Sequence, residues 1–387
     1  LNHPDVQTPW QPWSEAQTLH VAAAYSNPFR WRTRRELAND FKRHMQGSPN
    51  VALHFGELAY GDRPYEVTGD IEEDAVWRAS ERDKDDRPRY RRVNARRTDI
   101  QFRIQDSPLF LKENILNAVI RRFPPNWQYG AIIDADFHMT RHDWALEAIH
   151  QLQFYDWVQL FSSYADTSAL TLGQGMRPLR INASFAYNYV QSGFQLPEGY
   201  GNAGWKAGAP VLDDYGQSVA ATEPGKKPLR GVGATGGAWA FRRSAFDAVG
   251  GLLDTCIAGH GDWHQTFGLV SEDAPDVGVA SYSDGYRRSI AAWQRRAARL
   301  KKNIGYVDNF ALHFWHGSKF RRFYTSRYKI LIENNFDPQT DLVADWQGIY
   351  SLSGEKPALR DGMRQYMIER DEDNPEIMPA AGERPLI

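Results

Sequence analysis

Two apolar runs near the start of the chain, LHVAAAY (Leu19 to Tyr25) and VALHFGELAYG, flank a charged, helix-compatible stretch, RTRRELANDFKRHMQ. Strand, helix, strand in that order is the opening of a parallel sheet, because the helix carries the chain back to start the second strand in the same direction. The alternation continues. DIQFRI reads as a third strand, and SPLFLKENILNAVIRRFPP as a helix stopped by Pro124 and Pro125. YGAIIDAD is a fourth strand, HDWALEAIHQLQFY a helix and VQLFSSY a further strand. GGAWAFRRSAFDAVGGL then reads as strand, helix and glycine cap, SIAAWQRRAARLKK as a basic helix, and IGYVDNFALHFWHG as strand-like. The expected fold is α/β, a doubly wound and mostly parallel sheet with helices on both faces and a less regular second half.

Two stretches break the pattern. From Asp62 to Arg97 both charges are dense and apolar periodicity fades, which predicts a solvated insertion. From Thr167 to Arg230 the chain is rich in Gly, Pro and aromatic residues, the composition of a lid or an acceptor wall. YTSRYKILIENN is the last expected element, and RDEDNPEIMPAAGERPLI reads as an exposed tail. The 387 residues are 42% hydrophobic, ample for the core of one large α/β enzyme. A net charge of -2 gives no global basic field for nucleic acid. Cys256 is the only cysteine, so no intramolecular disulfide is possible, and no apolar run approaches a membrane span. The expected location is cytoplasmic.

The chemistry concentrates in four places. Asp134 and Asp136, one residue apart at the end of the fourth strand, would point to one side of it, repel each other and lose hydration. A divalent cation reverses that cost, and it also bridges carboxylates to diphosphate oxygens. A plain turn would use the same residues. Gly236 and Gly237, before a strand that feeds a helix, let backbone approach a ligand closely. In AGHGDWHQTF, Asp262 either caps a helix or takes a proton from an attacking hydroxyl, with His260 and His264 beside it. In HFWHGSKFRRFYTSRYK, His313 and His316 would face opposite sides of a strand, so that one of them completes a site begun by an Asp. Lys319, Arg321, Arg322 and Arg327 follow at once and suit phosphate oxygens.

In this order the four blocks resemble the metal-dependent GT-A glycosyltransferases, which use nucleotide-diphosphate sugars. The resemblance runs from about Leu19 to Asp341, with motifs over about a third of that. It implies one catalytic domain at 19–345, with a nucleotide-binding half at 19–165 and an acceptor and metal half at 166–345, between an arm at 1–18 and an extension at 346–387. It implies that Lys112 and Asn117 of KENILN contact the nucleotide, that Asp136 binds Mn²⁺ or Mg²⁺, and that Asp134 lies near the ribose or a metal-bound water. Gly236 and Gly237 would line the donor sugar. Asp262 would be the base of an inverting transfer, and the late histidine ligand would be His316, with His313 as second choice. Lys319 and Arg322 would share the charge of the diphosphate.

The chain departs from the family in two respects. Its base motif has Asp262 alone, followed by His264, where the family has an acidic pair, and its first strand ends at Asn27 without the usual acidic base contact, leaving Glu57 for that part. The implied partners are a nucleotide-diphosphate sugar and an acceptor that is a glycan, a small molecule or modified DNA. Three basic, aromatic-interleaved stretches (RPRYRRVNARR, RRSIAAWQRRAARLKK and KFRRFYTSRYK) would suit a hydroxymethylated base in phage DNA as acceptor, although solvated helix faces balanced by the nearby acids of GDIEEDAVW and ERDKDD account for them slightly better. An inactive nucleotide-sugar-binding module is the other alternative.

Overall fold

The computed structural model describes residues 17–69, 78–82, 88–91, 99–106, 108–169, 176–196, 233–271, 281–318, 320–324 and 326–374. The amino-terminal half runs β1 (Leu19–Ser26), α1 (Arg32–Gly47), β2 (Val51–Tyr60), β3 (Arg78–Arg82), β4 (Pro88–Arg91), β5 (Asp99–Ile104), α2 (Lys112–Ile120), β6 (Tyr129–Ile133), β7 (Phe137–Met139) and α3 (Trp144–Gln151). Next come β8 (Trp157–Gln159), β9 (Ser163–Thr167), β10 (Pro178–Ala183), α4 (Phe185–Gln191), β11 (Ala238–Arg242), α5 (Arg243–Val249), α6 (Gly261–Val270) and α7 (Asp284–Ala297). The last are β12 (Ile304–Tyr306), β13 (Phe310–His313), α8 (Lys329–Glu333), α9 (Pro338–Asp341), β14 (Leu342–Ala344), β15 (Tyr350–Leu352) and α10 (Pro357–Glu369).

Seven strands form the main sheet in the order β12-β8-β11-β6-β1-β2-β5. All pairings are parallel except those of β11, which runs antiparallel to both its neighbours. Strand β1 lies inside the sheet, between β6 and β2, and is covered on both faces. Leu19, Val21 and Ala23 pack with Phe41 and Met45 of α1 and with Trp144 and Ile149 of α3. Ala22 joins the opposite core with Ile115 and Val119 of α2, and with Phe241, Phe246 and Trp293. Burial on both faces is why these strands read as continuous apolar runs rather than as alternation. Helix α2 lies so close to the sheet that a Cβ at Gly56 would stand 2.5 Å from Val119.

A second sheet, β10-β9-β13-β7, takes three of its four strands from continuations of strands in the first. Strand β6 passes into β7, β8 into β9 and β12 into β13, each across three linking residues. The sequence presents VQLFSSY and IGYVDNFALH each as one strand, and each is in fact two strands in different sheets. Buried Asn309 pins the crossings together. Its side-chain amide donates to the Leu160 carbonyl at 3.1 Å, its carbonyl takes the Ser162 amide at 2.9 Å, and its Oδ1 takes the Arg141 amide at 3.1 Å.

Other regions carry more structure than the sequence suggests. The charged insertion contains the antiparallel hairpin β3–β4, and the Gly-rich stretch contains β10 and α4. The ordered chain also continues past the expected last element. Leu359, Met363, Tyr366 and Met367 of α10 enter the same core as α2. Arg370–Asn374 are not an exposed tail, because Arg370 and Glu372 are buried and Glu372 pairs with both Arg34 and Arg370. Asp373 accepts the Arg32 and Thr33 amides at 2.7 Å each, capping α1 from the far end of the sequence.

Candidate functional site

Asp134 and Asp136 do not share one side of a strand. Strand β6 ends at Ile133, and residues 134–136 form the turn into β7, with the Asp134 amide donating to the Gly237 carbonyl at 2.8 Å and the Phe137 amide to the Asp134 carbonyl at 3.0 Å. The turn sends the two carboxylates to different partners. Asp134 meets Lys112 Nζ at 3.1 Å. Asp136 faces two imidazoles, with His316 Nδ1 at 3.3 Å and His313 Nε2 at 3.8 Å.

Both histidines reach one site, contrary to the strand alternation expected of them. Strand β13 stops at His313, so residues 314–316 leave the period-two geometry, and Gly317 (φ 90°) turns the chain through a conformation that favours glycine. One ligand atom from each of Asp136, His313 and His316 lies within 4.8 Å of the other two. Asp136 Oδ1 is buried and has no hydrogen-bond partner among the described residues, an arrangement that a cation would satisfy. His313 Nδ1 lies 2.7 Å from Asp166 Oδ1, which leaves Nε2 directed at Asp136. A carboxylate behind a ligating histidine in this way fixes its ring and tautomer. Burial first, and then the nearby Arg322 guanidinium and His313, push the His316 imidazole well below its ordinary range, so it is neutral, the form that binds a cation. Two imidazoles with a single carboxylate form a donor set that could hold a divalent metal ion.

The basic segment after His316 folds inward. Arg322 is buried, with one guanidinium nitrogen 3.3 Å from His316 and another donating to Tyr324 Oη at 3.0 Å, and its Nε has no partner among the described residues. Arg327 is also buried and reaches the hydroxyls of Tyr328 and Tyr366. Lys319 lies outside the described residues. KFRRFYTSRYK is thus no surface stripe at Arg322 and Arg327, and most of RPRYRRVNARR falls outside the described residues. The α7 stretch does expose Arg288, Arg295 and Arg299.

Asp262 does not cap its helix. His260 holds the N-cap position in a left-handed conformation (φ 72°), stacked on Tyr328, and Asp262 occupies the first turn. There its Oδ2 accepts from Thr235 Oγ1 at 3.3 Å and fills the space beside Gly236, where a Cβ would stand 2.5 Å away. Gly237, at φ 91°, carries the carbonyl that holds the Asp134 amide, so the two glycines connect Asp262 to the Asp134–Asp136 turn. Lys112 and Glu113 face the same junction, with Lys112 Nζ 3.7 Å from the Glu113 carboxylate. Burial pushes the Glu113 carboxyl up to about 7, with Lys112 opposing and Asp262 and Asp134 adding to the rise. His264 is buried behind Asp262, and neither of its ring nitrogens has a partner among the described residues.

Three residues expected at the nucleotide make hydrogen bonds within the protein. Asn117 donates to the Leu252 carbonyl and to Asp254, and accepts the Leu252 amide, so it braces the loop after α5. Both oxygens of Glu57 are engaged, holding the amides of Glu66, Val67 and Thr68 and the Thr68 hydroxyl. Asn27 binds the Trp31 backbone, Tyr25 and Glu66 at the edge of a small pocket lined also by Arg30 and Arg63. Sequence reasoning missed Glu113 and Asp166. Asp166 stands opposite His313 in the register of β9 with β13, a pairing visible only once the strands are aligned. No protein-family model matches the chain, and no curated protein matches its sequence.

Proposed function

We propose that this chain is a metal-dependent glycosyltransferase of the GT-A type, which transfers a sugar from a nucleotide-diphosphate sugar to an acceptor hydroxyl. One observation carries the proposal: Asp136, His313 and His316, far apart in sequence, converge within 4.8 Å where β6 leaves the main sheet, and Gly237 ties that turn to the Thr235–Gly236 contact of Asp262. Open α/β sheets bind ligands at the carboxyl ends of their strands, which is where this cluster lies. A mostly parallel sheet with helices on both faces also suits the GT-A type.

A divalent ion, when bound, supplies positive charge for a diphosphate leaving group. Asp136, His313 and His316 would hold it, with Asp166 keeping His313 in the required tautomer. Arg322 presents a buried guanidinium beside His316, where a phosphate oxygen would satisfy its unpartnered Nε. Lys112 neutralises Asp134 and keeps it from repelling the donor. Asp262 accepts the proton of the acceptor hydroxyl as that oxygen attacks the anomeric carbon. The bond from that carbon to the diphosphate oxygen breaks, and its electron pair leaves with the diphosphate.

A thermal-shift panel of nucleotide-diphosphate sugars, with and without Mn²⁺, tests this directly. The expected result is a rise in Tm that needs both the sugar nucleotide and the metal, accompanied by slow hydrolysis of the same donor when no acceptor is present. Binding without hydrolysis would indicate an inactive nucleotide-sugar module. Absence of both effects for every donor would defeat the proposal.

A further inference from the structure

The junction between α2 and α6 holds more ionisable groups than one base requires. Glu113, in the first turn of α2, is only 4% exposed, and its carboxyl is seated against Gly261. A Cβ at Gly261 would stand 2.8 Å from the Glu113 carboxyl carbon and 2.9 Å from Oε1, so a side chain there would collide with it. Gly236 gives Asp262 the same clearance. Neither glycine has a positive φ, so at both positions the need is for space rather than for conformation. Two glycines from separate elements therefore make room for two carboxyls at one place, one on α2 and the other on α6.

The charged and titratable groups around Glu113 come from each element packed on it. They are Lys112 on its own helix, Asp134 from the β6–β7 turn, Asp262 from α6 and the Cys256 thiol from the loop before α6. One ammonium serves three carboxyls in a site with little access to water. If all were ionised, the junction would carry an excess of negative charge that burial makes costly. A single proton relieves it, and the most buried carboxyl is the natural place for that proton. Asp262 is half-buried, whereas Glu113 is enclosed.

We propose that Glu113 works with Asp262 as a carboxyl pair across the α2–α6 junction, Glu113 holding a proton so that Asp262 stays ionised and able to accept one. Glu113 is a positioning residue, because it acts on the reaction through Asp262. This rests on the assignment of Asp262 as the base.

The pair can be tested without any substrate. In the full chain carrying ¹³C-carboxyl glutamate, one resonance, identified by its loss in Glu113→Gln, is expected to titrate near neutral pH. Asp262→Asn removes the neighbouring charge and is expected to lower that midpoint by about one pH unit, roughly tenfold in proton affinity. Gly261→Ala, which crowds the carboxyl by a route that leaves every charge in place, is expected to move it as well. A Glu113 midpoint in the ordinary glutamate range, or one unmoved by Asp262→Asn, overturns the pair. Where a donor is turned over, Glu113→Gln is expected to remove any inflection near neutral pH from the rate profile, because the neighbour of Asp262 then no longer titrates, and a profile that keeps its inflection also overturns the pair. Coupled titration without any turnover would uphold the pair while defeating the transferase assignment, and turnover without coupling would do the reverse.

Discussion

Asp134 and Asp136 are one residue apart and sit in opposite electrostatic settings. Asp134 has an ammonium at 3.1 Å and two further carboxyls nearby, whereas Asp136 has two imidazoles and a buried guanidinium. Read from sequence, the pair calls for one shared cation. Lys112 instead answers the charge of Asp134 from within the chain, and of the two only Asp136 has an oxygen that is buried and unpartnered among the described residues. A three-residue crossing between sheets has split one repulsive pair into a compensated carboxylate and an available ligand. The two sides of the turn should therefore respond differently to the same kind of perturbation.

The largest separation is expected between Asp136→Ala and Asp262→Asn. Under the proposed assignment each should lower transfer by at least about a hundredfold, since each would remove a group acting at the reacting centre. Only Asp136→Ala should also weaken Mn²⁺ itself, by more than about a hundredfold in calorimetric titration of the metal alone. If Asp262→Asn weakened Mn²⁺ to the same extent, the two sides would be one site and the contrast would be wrong.

Next in size is a stability effect on the Lys112 side. Glu113 rises to about 7 from an ordinary 4.5, so the native state holds its proton more tightly than the unfolded chain does. Stability is then unpenalised below about 4.5, falls as pH rises through that interval, and levels off above about 7. A shift of that size is worth roughly 3 kcal/mol. Glu113→Gln cannot ionise, so urea unfolding should find it gaining on the wild type by about that amount between pH 5 and pH 8. An equal difference at both pH values would mean that Glu113 is not the group carrying the proton.

The two sides also differ in how far the sequence announces them. Helix α2 and the Gly-Asp at the start of α6 are local patterns, and they place Lys112 and Asp262 on the elements that carry them, whereas Asp134, read as the end of the fourth strand, lies in the turn after Ile133. The apolar runs of β1, β2 and β6 show the main sheet because burial on both faces leaves a continuous signature. The second sheet has no such signature. Its strands β7, β9 and β13 are three to five residues long and continue the strands of the first sheet, so period-two reasoning carried across each crossing sets His313 against His316. Asp166 and Glu113 were out of reach for a related reason. Each gains its meaning from a partner more than a hundred residues away, His313 for one and Gly261 for the other.

On the Asp136 side, the contribution of Asp166 should be intermediate. Asp166→Asn keeps the shape but replaces the carboxylate that fixes His313, and metal affinity should fall by roughly 10- to 100-fold. Calorimetry with Mn²⁺ alone measures it. The Glu113 titration should not move in this variant, because the carboxylate removed is the one that holds His313. Unchanged Mn²⁺ affinity would leave His313 outside the metal site.

The smallest effect concerns the strap behind His316. Asp373 caps α1 by accepting two amides, and loss of such a cap costs about 1 kcal/mol. The same strap packs Glu372 against Gly317, next to His316, where a Cβ would meet the Glu372 Cα at 2.9 Å. Asp373→Ala should therefore lower stability by about 1 kcal/mol in urea unfolding. It should also loosen Mn²⁺ by a few-fold, because His316 loses part of the backing that holds its turn. Glu113 sits against Gly261 and Glu372 against Gly317, so the Glu113 midpoint should stay where it is. A variant that shifted the Glu113 midpoint and spared Mn²⁺ would reverse the assignment of the strap, placing its influence on the carboxyl junction rather than on the imidazoles.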